Sequence, residues 1–225
     1  MEIDCSELEV REINRMIKEA VKNGEERIVL LNPGAKHYLS AGVVGNVEID
    51  VRGSAGYFAG TMIHGVRMTI EKNSGWFTGD NMTEGYIEVK GKAGDGVGQG
   101  IYGGTIVVRE SAGARTGEIM KNGTIIIGGN SDFMTGLYMM GGRIVVLGNL
   151  RGMAGESIVR GAIYVKGDVD SLGKNAKLVE INEQDEEWLK EILRSHDFPA
   201  FTEKFRKIVP IRKRFVYGSA PSEEG

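Results

Sequence analysis

A chain of 225 residues with 41% hydrophobic and 26% charged side chains can bury a sizeable core, which excludes a linker, a tail or a fibre. Its 28 basic and 31 acidic residues nearly balance at −3, without the basic excess that a protein uses to hold nucleic acid by counterion release. Glycine is the outlier, with 34 residues or about twice the usual ~7%, while 4 prolines are too few for disorder or a collagen repeat.

The first ten residues, MEIDCSELEV, are acidic and polar where a secretory leader would be basic and then apolar. Cys5 is the single cysteine, so no disulfide framework exists and a reducing, cytoplasmic setting is expected. No apolar run approaches the roughly 18–20 residues of a membrane span. From Ser6 to Asn23 the apolar positions Leu8, Ile13, Met16, Ile17, Ala20 and Val21 have helical spacing, with Ser6 as the expected N-cap and Gly24 as the stop. Ile28–Leu31 reads as a strand ended by Asn32-Pro33-Gly34. Residues 1–43 are thus expected to form an α/β cap.

A period of nineteen organises residues 44–177. Gly60, Gly79, Gly98, Gly117, Gly136 and Gly155 form one column, and Gly56, Gly75, Gly94 and Gly113 another. Three apolar columns run beside them: Val51, Ile70, Val89, Val108, Ile127, Val146, Val165; Ile49, Met68, Ile87, Ile106, Ile125, Ile144, Ile163; and Val44, Ile63, Met82, Ile101, Met120, Met139, Ile158. Within each unit a short β-branched strand is bounded by glycine corners, as in Gly123-Thr-Ile-Ile-Ile-Gly128. Such a unit buries its apolar face only against its own copies, which is the logic of a solenoid. The expected fold class is an all-β core, a right-handed parallel β-helix of about seven rungs over residues 44–177 with flanking N- and C-terminal helices. Six steps of ~4.8 Å give a stack on the order of 29 Å tall. A six-residue left-handed helix does not fit the period, and β-branched strands exclude a helical repeat. The methionines in the inward columns are read as gap fillers.

Residues 178–225 lie beyond the repeat. Glu183–Arg194 reads as a helix with acids in its first turn and Arg194 in its last. The tail then carries Lys204, Arg206, Lys207, Arg212, Lys213 and Arg214 without an acid between them, with Phe201, Phe205, Phe215 and Tyr217 interleaved or adjacent. Arginine and aromatic residues are enriched in interfaces, so a partner contact is expected here, the alternative being that the aromatics pack back on the solenoid while the charges stay solvated.

Familiar chemistry is sparse. Gly98-Gln-Gly-Ile-Tyr-Gly103 has G-x-G-x-x-G spacing but runs into a strand, whereas a dinucleotide site needs a helix there. No Gly-Lys is followed by Ser or Thr, so a Walker A loop is excluded. GGNSDFMTG, residues 128–136, lacks a glycine and the period of a calcium-binding nonapeptide. His37, His64 and His196 are far apart, and one cysteine makes no Cys/His metal set. Ser40, His37 and Asp50 contain the residue types of a triad but none of its sequence context. The column Arg52, Glu71, Lys90, Arg109 is a charge ladder, and no column stacks neighbouring carboxylates as a glycosidase pair would require. No catalytic, cofactor-binding or metal-ligating residue is assigned.

The units GSAGYFAGTMIHG (53–65), GKAGDGVGQGIYGG (91–104) and MTGLYMMGGRIVVLG (134–148), with a G-x-G-x-G run at Gly94-Asp-Gly96-Val-Gly98, resemble the C-terminal β-helix domain of the glutamate synthase large subunit. HYLSAGVVGNVEIDVRGSAG (37–56) is similar to the start of that domain, so the resemblance covers about residues 5–177. The repeats are also similar to those of the glycine-repeat subunit of tungsten or molybdenum formylmethanofuran dehydrogenase, and both relations stay open. The resemblance implies a non-catalytic subunit of a glutamate-synthase-like oxidoreductase. Its glutamine amidotransferase and its flavin and iron–sulfur synthase centre would reside in partner subunits. It implies no cofactor in this chain; charge balance and the lack of a long apolar run argue against nucleic acid and membrane, a homo-oligomer stays open, and an independent β-helix enzyme is the remaining alternative.

Overall fold

Glycine corners and β-branched runs place a strand in every repeat. The computed structural model describes residues 1–199, 201 and 204–212. Seven strands occupy equivalent places: β3 (Glu48–Val51), β4 (Val66–Ile70), β5 (Gly85–Val89), β6 (Thr105–Val108), β7 (Thr124–Ile127), β8 (Arg143–Val146) and β9 (Ala162–Val165). Each is parallel to the next in a register of nineteen, Ile49 facing Met68, Met68 facing Ile87, and so on to Ile163. A second ladder of single bridges joins Ala55, Ser74, Ala93, Ala112, Ser131, Leu150 and Val169. The fold is a parallel β-helix of about seven turns. Its interior holds the two strand columns from Ile49 and Val51, all fully buried.

The third column departs at its first member. Ile63, Met82, Ile101, Met120, Met139 and Ile158 are fully buried, but Val44 is 63% exposed and Val43 takes the inward place. The first rung holds one extra residue, since Val44 bridges His64, twenty positions on. A one-residue slip moves a side chain to the other face.

The ends are built differently. At the N-terminal end β1 (Glu2–Asp4) and β2 (Arg27–Leu31) extend the same sheet in parallel. Helix α1 (Val10–Lys22) lays Ile13, Ile17 and Ala20 onto the solenoid core beside Leu39 and Val43. Ser6 is not its cap: Glu9 is the N-cap residue and makes no side-chain bond, while the Ser6 N–H donates to Asp4 Oδ1 in a turn before the helix. At the other end β10 (Ala176–Glu180) does not pair with β9; β11 (Arg206–Pro210) lies antiparallel between them.

Helix α2 (Glu183–Ser195) starts at a capping box formed by Asn182 and Asp185. It covers the outer face of the later rungs, where Val107, Ile126, Val145 and Tyr164 form a second apolar cluster with Leu189, Leu193 and Phe205. Asp185 ties the parts together, accepting from the Tyr164 hydroxyl at 2.8 Å and from Lys207 Nζ. Burial alone would raise the Asp185 carboxyl, but hydrogen bonds from Lys207, the Asn182 N–H and Tyr164 hold it below the usual carboxylate range. Burial, then the hydrogen bond to Asp185 and its charge, pushes the Tyr164 phenol upward. Part of the described basic, aromatic tail packs back within the chain. Phe205 is buried, Phe201 stacks on it at 5.7 Å, Lys207 pairs with Asp185 and Arg206 donates to the Gly167 carbonyl. The strand packs onto the solenoid because the last rung offers it an open edge and an apolar face. Lys213, Arg214, Phe215 and Tyr217 lie outside the described residues.

Candidate interaction surface

Each turn contains an arch whose backbone sets the glycine column. In the central rung Gly96, Gly98 and Gly100 all have φ between +64° and +71°. Their N–H groups alternate in direction: Gly96 donates to Ala114 and Gly100 to Glu118, one rung on, whereas Gly98 donates back to Thr78. The same left-handed triple recurs at Phe58, Gly60, Met62, at Phe77, Gly79, Asn81 and at Arg115, Gly117, Ile119. Only the middle position faces inward. A Cβ on Gly98 would stand 2.5 Å from Ile125 Cδ1, and one on Gly79 2.5 Å from Ile106 Cδ1. The outer two positions carry side chains to the surface. Gly96, Gly98 and Gly100 are thus the left-handed glycines of this arch. Gly94 has a different task, since a Cβ there would meet the Gly75 carbonyl carbon at 2.9 Å, a close approach between rungs.

The candidate chemical groups are not brought together. His37 accepts the Tyr57 N–H at Nδ1, at 2.8 Å, Ser40 is fully buried, and Asp50 pairs with Arg27 at 2.6 Å. His64 meets Thr83, and His196 stacks on Tyr86 with centroids 5.4 Å apart. Burial pushes the Cys5 thiol up, away from thiolate reactivity. Among the described residues no group of three or more His, Cys, Asp or Glu side chains is placed to hold a metal ion. No described helix is long and apolar enough to cross a membrane. In the charge ladder Arg52 pairs with Glu71, while Arg109 turns to Glu88 at 2.6 Å and to the His196 carbonyl at 2.6 Å.

What the rungs do assemble is a double row of aromatic rings. His37, Tyr57 and Trp76 stack with centroids 4.5 and 4.8 Å apart, and Tyr38, Phe58 and Phe77 stack alongside at 4.9 and 4.9 Å. The nineteen-residue step delivers each ring over the last, at the rung spacing. The edges remain open to solvent, with Tyr38 48% and Trp76 47% exposed. The Tyr57–Trp76 and Phe58–Phe77 pairs carry the nineteen-residue period as their only sequence signal. The first pair, His37 and Tyr38, hides behind the extra residue of rung one.

The rows adjoin α1. Asn14 Nδ2 donates to the Tyr38 carbonyl at 2.7 Å, and Asn14 Oδ1 accepts the Ser40 N–H at 2.8 Å. Beside this contact runs a groove of about 550 Å³ lined by Arg11, Asn14, Arg15, Lys18, Glu19, Lys22 and Ala41. The four basic residues stand at i, i+4, i+7 and i+11, one face of the helix. Arg15 reaches Glu12 and Glu19, whereas Arg11, Lys18 and Lys22 make no ion pair among the described residues.

A glycine-arched parallel β-helix with an exposed aromatic and basic face defines a β-solenoid module. The sequence matches the GXGXG motif family model over residues 7–210. The chain belongs to that family, the family of the C-terminal domain of the glutamate synthase large subunit. A comparison with curated proteins gives no match.

Proposed function

We propose that this chain is a non-catalytic structural subunit of a glutamate-synthase-like oxidoreductase. Its partners are a glutamine amidotransferase polypeptide and a synthase polypeptide carrying flavin and iron–sulfur centres. The observation that carries the reading is the family match, which takes in α1, every rung, α2 and β11 as one unit. The surface supports this role: His37 accepts the Tyr57 N–H, Asp50 pairs with Arg27 and Ser40 is buried, while exposed rings of this kind suit a contact with another polypeptide. The subunit works by shape, holding partners in a fixed geometry through a stack of similar rungs.

The purified chain is expected to retain no stoichiometric flavin, iron or zinc and to form no glutamate from glutamine and 2-oxoglutarate. Added to the two partner polypeptides, it is expected to raise their glutamine-dependent glutamate formation. Bound flavin or metal on the lone chain, or no effect on the partners, contradicts the reading. A tungsten- or molybdenum-pterin partner replaces it with the formylmethanofuran dehydrogenase alternative.

A further inference from the structure

We propose that the double aromatic row and the basic groove along α1 form one docking surface for an acidic, apolar-faced segment of a partner polypeptide. The inference rests on the proposed subunit role and deepens it by naming the engaged face and the chemistry that fits it.

The solenoid itself does not require these rings. The same corner is built at Asp95 and Gly96 and again at Ala114 and Arg115, with the arch conformation intact at Gly96 and Arg115. Six rings are gathered instead on the three rungs next to α1. Stacking uses their faces and leaves their edges bare, with Tyr57 39% and Met62 61% exposed beside them. An exposed contiguous apolar surface of this kind marks an interaction site.

Charge decides the occupant. Arg11, Lys18 and Lys22 face the groove without a carboxylate partner among the described residues, and the Asn14–Tyr38 hydrogen bond makes groove and rings continuous. The complement is a segment that alternates carboxylates with apolar side chains. Single-stranded nucleic acid also favours basic and aromatic residues, but it stacks bases on free ring faces. Here the rings lie 3–20° from parallel on one another, and the last two, Trp76 and Phe77, lie against Gly94 and Gly96. The faces between successive rings, and the far faces of Trp76 and Phe77, are therefore taken.

Trp76 is a built-in reporter. The chain has two tryptophans, and Trp188, on α2, packs on Tyr164. In a Trp188→Phe chain, titration with a peptide of alternating glutamate and phenylalanine is expected to change Trp76 emission saturably. Lys18→Glu with Lys22→Glu is expected to weaken this binding by about tenfold or more, as loss of interface hot-spot side chains does. An oligothymidylate is expected to give no change. In affinity isolates of the whole chain, Tyr57→Ser with Trp76→Ser is expected to deplete the co-isolated partner while circular dichroism stays that of the parent. Absence of peptide binding, tighter binding of oligothymidylate, or undiminished partner recovery by the folded variants overturns the docking surface. Failure of the unaltered chain to bring down any partner overturns the subunit role instead.

Discussion

Gly98 carries two demands in one residue. Its φ of +64° is strained for any residue with a Cβ, and that Cβ would stand 2.5 Å from Ile125 Cδ1. Gly98→Ala is expected to destabilise the chain by about 2–4 kcal/mol, the sum of left-handed strain and overpacking. Adding Ile125→Val removes the clashing methyl and is expected to recover part of the loss, although Ile→Val alone costs about 0.5–1.5 kcal/mol. Denaturant melts of the four chains measure the coupling; an alanine variant as stable as the parent contradicts the arch. This column is legible in the sequence because an inward left-handed position tolerates nothing larger. Within the Gly94–Gly98 run the two kinds of glycine look alike in the sequence: Gly94 is kept small by rung contact, Gly96 and Gly98 by φ. Val44 falls in the wrong column because an inserted residue leaves no mark in the column's composition.

Helix α2 is legible as a helix from its acidic first turn and basic last turn, but its seat is not. The seat is the outward column Val107, Ile126, Val145 and Tyr164, apolar where α2 lies and polar in earlier rungs at Asp50, Thr69 and Glu88. Strand β11 is illegible because it pairs antiparallel across a helix, outside any period, and its basic residues look solvated. The Asp185–Lys207 pair is largely buried, with side chains 11% and 17% exposed. Asp185→Ala strands the Lys207 charge and the Tyr164 hydroxyl, and is expected to cost about 3 kcal/mol, measured by denaturant melt. A change within about 0.5 kcal/mol, usual for surface sites, contradicts the latch. A pH effect has a defined sign. Burial, then Arg109 and Arg67, holds His196 below the ordinary histidine value, against opposing pulls from Glu88 and Asp197. The folded form therefore takes up the His196 proton at lower pH than the unfolded chain does. Its contribution is complete above about pH 6.5 and is lost as pH falls through the lower folded value. Trp188 emission is expected to report loosening of the α2 end on acidification, and His196→Asn to flatten that change. An unchanged profile in the variant removes His196 from the explanation.

The whole molecule is a stack covered at both ends and along part of one face. Removal of residues from 183 onward is expected to uncover the outer apolar column and the β9 edge, giving an aggregating chain rather than a trimmed soluble one, as light scattering would show. A monodisperse truncated chain with the parental melt contradicts this dependence. Repeat, fold and family are legible together because a solenoid writes its contacts at one spacing. The aromatic face is less so: its rings occupy the same columns, but surface positions are not forced by packing and carry no obligatory residue type. We propose that this chain holds partner polypeptides together. Native mass spectrometry of the chain affinity-isolated from its own cells tests it most directly. The expected result is one stoichiometric assembly with a glutamine amidotransferase polypeptide and a polypeptide bearing flavin and iron–sulfur clusters. The chain alone, or joined to a pterin-bound tungsten or molybdenum subunit, would contradict it.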